Sequence, residues 1–176
     1  MNRESRKFLF AWIGAIILLS LPFIVRDRYF QHLLVLSGIF VILSTSWNLL
    51  AGYAGLLNLG HAAFFGIGGY TSALFALKLG ISPWIGLPLA GIVASLFGVC
   101  LGVPSFRLSG PYLAITTIGF SEILRLAAMN WVDLTRGSLG LYGIPPFTPI
   151  KLPLGLSFSF VSEKNFYYLV LIFAAL

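Results

Sequence analysis

From Tyr29 to Leu77 the chain reads YFQHLLVLSGIFVILSTSWNLLAGYAGLLNLGHAAFFGIGGYTSALFAL, without a single Asp, Glu, Lys or Arg. A membrane-spanning helix needs about 20 predominantly apolar residues, so this stretch holds two. Its middle, Ala51-Gly52-Tyr53-Ala54-Gly55-Leu56-Leu57-Asn58-Leu59-Gly60, is a poor helix, because each glycine costs roughly 1 kcal/mol relative to alanine. Lipid offers a broken backbone no hydrogen-bond partners, so such a break must be buried in protein or line a wet cavity. The stretch therefore predicts two spanning helices joined by a Gly-rich break that faces other helices.

The rest of the chain extends this pattern. Its 176 residues are 59% hydrophobic and 9% charged, against about 45–50% and about 25% in soluble domains. A soluble fold lacks the polar surface it would need, and disorder requires the opposite composition. The fold class is all-α: a polytopic transmembrane helical bundle with the broken element between helices two and three. Predicted helices cover 8–25, 33–50, 61–79, 83–103 and 111–131. Lys78 and Gly80 mark a helix end, while Ser82-Pro83 and Gly110-Pro111 mark starts. The fourth helix is expected to bend at Pro88 and stop at Pro104.

Residues 132–164 carry Pro145, Pro146, Pro149 and Pro153 and read as a long, external loop with room for one short helix. A last apolar run begins near 165 and is too short to span. Residues 1–176 thus read as the N-terminal part of a single transmembrane domain, cut within a helix. Arg3, Arg6 and Lys7 precede the first apolar run, which places the N-terminus in the cytoplasm. No small-x-small cleavage site follows that run, so it is a retained helix rather than a leader. Counting crossings puts 51–60 near the cytoplasmic side, 104–110 inside and 132–164 outside.

The chain has almost no catalytic vocabulary. It contains no phosphate-binding loop and no Gly-x-Ser-x-Gly elbow. Its two histidines, one cysteine and five acids show no metal-ligand spacing. Cys100 alone makes no disulfide framework. The 11 basic residues are spread too thinly for a nucleic-acid surface. Neither a catalytic residue nor a metal ligand is expected.

Three groups of residues stand out. Glu122 and Arg125 are ionisable groups within a predicted span, where they must pair or face an interior. Their i, i+3 spacing lets them neutralise each other, on a translocation route, as a helix-helix lock, or as a plain ion pair near the outer interface. Asn48, Asn58 and His61 frame the helix break, as contacts for a polar substrate or a neighbouring subunit, or as turn and helix-start residues. Gly52, Gly55, Gly60, Gly66 and Gly69 are read as helix-packing positions. Trp47, Trp84 and Trp131 lie near span ends, as interface anchors do.

The run from Asn48 to Tyr70, NLLAGYAGLLNLGHAAFFGIGGY, resembles the signature stretch of the branched-chain amino-acid ABC importer permeases of the LivM type. The run from Arg107 to Arg125, RLSGPYLAITTIGFSEILR, is similar to a second block of that family. Asn130-Trp131, Leu134-Thr135-Arg136-Gly137 and Gly143-Ile144-Pro145 resemble a third. The resemblance implies a bacterial cytoplasmic (inner) membrane subunit of an ATP-driven, binding-protein-dependent importer that works by alternating access. It also implies its partners: a LivH-like second permease, two cytoplasmic ATPase subunits and an external, periplasmic substrate-binding protein. The usual cargo of the family is leucine, isoleucine and valine, and sister systems carry urea, short amides or other amino acids. This chain then binds no cofactor, the ATP and Mg being used by the ATPase partners. The chain reads as the first half of such a permease, with ATPase-contact residues expected beyond Leu176. The competing readings are an ion-coupled secondary transporter using Glu122, a passive channel, and a purely structural membrane subunit.

Overall fold

The computed structural model describes residues 12, 14, 17–25, 27–105, 108, 110–151, 157–158 and 162–175. Much of the predicted first helix, the three basic residues before it, Arg107 and part of the 132–164 loop lie outside the described residues. Helix α1 covers 17–24. Helix α2 is Arg28–Asn48 and begins before the predicted position 33. Asp27 explains the early start. The Tyr29 amide donates to its Oδ1 at 2.9 Å and the Gln31 amide to its carbonyl at 3.1 Å, which is an N-cap. The buried Gln31 side chain donates to the Val25 carbonyl at 2.8 Å, so its amide group is not left dry.

The end of α2 loosens into a π turn, Leu49–Tyr53, in which the Ala54 amide reaches back to the Leu49 carbonyl at 3.2 Å. Residues 54–60 are not helical, and Gly55 has φ +67°, a conformation that favours glycine. Helix α3, His61–Leu79, matches its predicted bounds and ends on Gly80 at φ 63°. Helix α4, Pro83–Ser105, runs through Pro104 instead of stopping there. At that position the ring removes one donor from a helix already in its last turn, and the Leu108 amide closes on the Ser105 carbonyl at 2.9 Å. Helix α5, Pro111–Asn130, starts at the predicted Gly110-Pro111 signal.

Within the predicted loop lie α6, Val132–Thr135, a 3-10 turn, Gly137–Leu139, and a two-residue pairing of β1, Ile150–Lys151, with β2, Ser157–Phe158. Helix α7, Glu163–Ala175, follows. Four helical stretches are long and apolar enough to cross a membrane: Arg28–Tyr53, His61–Leu79, Pro83–Ser105 and Pro111–Asn130. The chain is thus an all-α membrane bundle with its break between α2 and α3.

The chain divides into two compact units, one of residues 1–42 with 158–176 and one of 43–157. In the first, Val35 of α2 packs with Tyr167 and Val170 of α7. A Cβ on Gly38 would lie 2.6 Å from the Val170 methyl, so the glycine sets how closely α7 approaches. The Tyr167 and Tyr168 hydroxyls donate to the Leu18 and Leu19 carbonyls, each at 3.0 Å. In the second unit α3 packs chiefly on α4 and also on α5. There a Cβ on Gly86 would lie 3.0 Å from Ser72 Oγ, the small-residue contact expected between membrane helices.

Candidate functional site

The break and the helices beside it line an open cavity of about 360 Å³. Its apolar wall includes Leu50, Leu56, Phe64, Leu101, Leu113 and Phe120. Its polar groups are Asn58, His61, Ser95, Ser105, Thr116 and Thr117. Two of the three residues singled out around the break, Asn58 and His61, therefore come together here, along with Gly60. Asn48 does not line the cavity. It sits at the end of α2, where its Oδ1 would lie 2.5 Å from a Cβ on Gly52.

Local hydrogen bonds hold the break in place. Asn58 Oδ1 accepts from the Gly60 amide at 2.8 Å, an Asx-type turn that delivers the chain into α3. The Trp47 indole donates to the Asn58 carbonyl at 2.7 Å, so Trp47 clasps the break as well as lying near a span end. Thr117 of α5 accepts from the Leu59 amide at 3.1 Å and donates to the Ala114 carbonyl at 2.9 Å. A Cβ on Gly60 would overlap the Thr117 carbonyl oxygen, so this glycine lets the break lie against α5. Sequence reasoning missed Thr117. Its only signal was a hydroxyl on an apolar helix, and its partner is far away in the chain.

Two of the cavity's hydroxyls are turned back onto their own helices. Ser95 donates to the Gly91 carbonyl at 2.7 Å and Thr116 to the Tyr112 carbonyl at 2.8 Å. Each hydroxyl thereby spends its proton within its own helix and keeps acceptor lone pairs. His61 Nδ1 is buried without a hydrogen-bond partner, at the helix start where the first backbone N–H groups lack intrahelical acceptors.

A second cavity of about 450 Å³ lies between α3 and α5 and is lined by Gly66, Tyr70, Thr71, Glu122, Arg125 and Thr135, among others. Here the predicted ion pair is present: Arg125 Nε donates to Glu122 Oε2 at 2.8 Å and Nη2 to Oε1 at 2.5 Å. The two side chains remain 54% and 51% exposed. Two half-exposed charges on a spanning helix are costly against lipid, so this face belongs against protein or water. A Cβ on Gly66 or Gly69 would meet nothing within 4 Å. Thr135, also missed, is a hub. Its hydroxyl lies 2.5 Å from the Ala128 carbonyl and 2.8 Å from that of Trp131, and accepts from the Gly137 amide at 3.2 Å. Among the described residues no group of His, Cys, Asp or Glu is placed to hold a metal.

Comparison with known proteins places these features in a family context. The family described as "Branched-chain amino acid transport system / permease component" matches residues 29–176. The high-affinity branched-chain amino acid transport system permease protein LivM of Salmonella typhimurium is 39% identical over 81% of this chain and 33% of its own length. The protein of the same name from Escherichia coli is 38% identical over 92% of this chain and 36% of its own length. A probable branched-chain amino acid transport permease protein LivM of Methanocaldococcus jannaschii is 29% identical over 59% of this chain. The chain thus spans about a third of the length of the two bacterial relatives, less than the half expected from its resemblance. No solved structure gives a significant match.

Proposed function

The chain belongs to the family of branched-chain amino acid transport permease components, and on that premise we propose that it is a membrane-spanning part of an ATP-driven importer for leucine, isoleucine and valine. The match of residues 29–176, which takes in all four candidate spans, carries this reading. The helices supply a route, and in this reading ATP hydrolysis belongs to partner ATPase subunits. Around it we place a second, LivH-like permease, two cytoplasmic ATPases and an external binding protein, in the bacterial inner membrane with the N-terminus in the cytoplasm. In this scheme the break at 54–60, with Asn58 and His61, lines the route near its cytoplasmic end. The Glu122–Arg125 face and the open Gly66 and Gly69 meet protein. Alternating access follows if ATP binding biases two arrangements of the permease pair.

The test is assembly. Purified from its native membrane, the chain is expected to bring ATPase subunits with it, and the complex to hydrolyse ATP faster when leucine-loaded binding protein is added. A chain purified without any ATPase, and vesicles whose uptake collapses with an ionophore while ATP stays high, would replace this reading with a secondary transporter.

A further inference from the structure

Residues 131–149, which follow α5, hold only two charged side chains, Asp133 and Arg136. Within this stretch Leu139 is 83% exposed and Tyr142 67%, and Trp131, Val132 and Ile144 are exposed as well. Large apolar side chains gathered on a surface mark a contact with protein or membrane. Internal contacts hold the stretch in place. At its start the Thr135 hydroxyl is hydrogen-bonded to the Ala128 and Trp131 carbonyls and accepts from the Gly137 amide. In its middle the Arg136 guanidinium lies 4.1 Å from the centre of the Tyr142 ring. At its end the Trp84 indole donates to the Thr148 carbonyl at 3.1 Å. The Trp84 and Phe147 rings meet there at 4.8 Å, and the Ser82 and Thr148 hydroxyls are 3.3 Å apart.

These anchors decide where the stretch lies. Helix α4 starts at Pro83 and α5 ends at Asn130. Consecutive spans run in opposite directions, so both points lie at the same face of the membrane. A chain tied to both of them runs across that face. Its depth is bounded too. Residues 140–149 form no helix or strand, and irregular backbone is not tolerated against hydrocarbon. The headgroup level is the depth that remains, and Trp and Tyr rings are enriched there. Pro145 and Pro146 fit this level, since they bring no backbone N–H to be satisfied.

We propose that residues 131–144 form a membrane-surface element whose partner is the lipid headgroup layer itself. Leu139, Tyr142 and Ile144 enter the boundary between headgroups and acyl chains and extend the lipid contact of the spans. The stretch that reads as an external loop thus lies on the bilayer instead of in water. Because it is tied to the start of α4 and the end of α5, it sets the depth of both. The proposal rests on the membrane bundle and requires neither the cargo nor the ATPase partners.

The experiment uses the protein purified with its native partners and returned to lipid vesicles. Leu139→Cys is made in a Cys100→Ala background and labelled with a polarity-sensitive fluorophore. The expected emission is shifted to the blue of the same fluorophore in buffer. Lipids carrying a nitroxide at headgroup depth quench it more strongly than lipids carrying one at the acyl-chain end, and more strongly than iodide in the water. Tyr142→Cys supplies the same readout should Leu139→Cys not assemble. Emission as in buffer, quenched by iodide and by neither lipid, overturns the proposal in favour of a solvated loop. Emission to the blue that no quencher reaches overturns it in favour of a protein partner covering the same residues. Stronger quenching from the acyl-chain end overturns the headgroup depth.

Discussion

Gly60 and Gly66 look alike in the sequence, as glycines beside one helix start, yet they have different surroundings. A Cβ at Gly60 would collide with the Thr117 carbonyl, whereas one at Gly66 would meet nothing. Gly60→Ala is therefore expected to destabilise the chain by about 1–3 kcal/mol, as overpacking does. Gly66→Ala should stabilise the isolated chain by up to about 1 kcal/mol through helix propensity. Unfolding in mixed micelles compares the two, and equal effects would show that the Gly60 contact is not formed. If Gly66 packs against a partner subunit, the same variant weakens assembly while the chain itself stays folded. The charged pair calls for a different test. Glu122→Gln leaves Arg125 without its carboxylate and is expected to lower uptake severalfold. Glu122→Arg combined with Arg125→Glu keeps the i, i+3 pair and should recover most of it. A fully active Glu122→Gln variant with normal assembly would reduce the pair to a surface ornament of α5.

Elements show where sequence reading succeeds and where it stops. The bounds of α3 and the start of α5 were legible because Gly80, Pro83, Gly110 and Pro111 act through local backbone geometry. The break was legible because three closely spaced glycines penalise any helix. The early start of α2 was also encoded, in Asp27, but a charged residue beside Arg26 and Arg28 reads as loop charge unless its capping role is considered. The π turn was not legible, since a change in hydrogen-bond register leaves the apolar pattern untouched. Nor were the contacts across the break, which join Leu59 to Thr117 and Trp47 to Asn58 and depend on how helices meet. The last of these is testable. Trp47→Phe removes the indole bond to the Asn58 carbonyl, at a cost of about 0.5–1.5 kcal/mol. Amide exchange across 54–60 should then speed up, while that of α4 stays unchanged. Unaltered exchange at the break would mean that the clasp is not formed in the membrane.

At the scale of the whole molecule, low charge content points to a membrane fold, and the four helices of spanning length agree with it. Four helices of spanning length lie among the described residues, and the proposed reading supplies the energy for transport through ATPase partners. The orientation is open to direct measurement. With the N-terminus in the cytoplasm, a reporter fused after Gly140 reads external, and one that reads cytoplasmic reverses the assignment. The central claim is that this chain conducts aliphatic amino acids in an ATP-coupled assembly. Its most direct test is uptake of labelled L-leucine by vesicles that contain the full complex, with binding protein outside and ATP inside. The account predicts uptake that requires both ATP and binding protein and persists when an ionophore abolishes the ion gradients. Uptake that survives ATP removal, or that vanishes with the ionophore while ATP remains high, would contradict it.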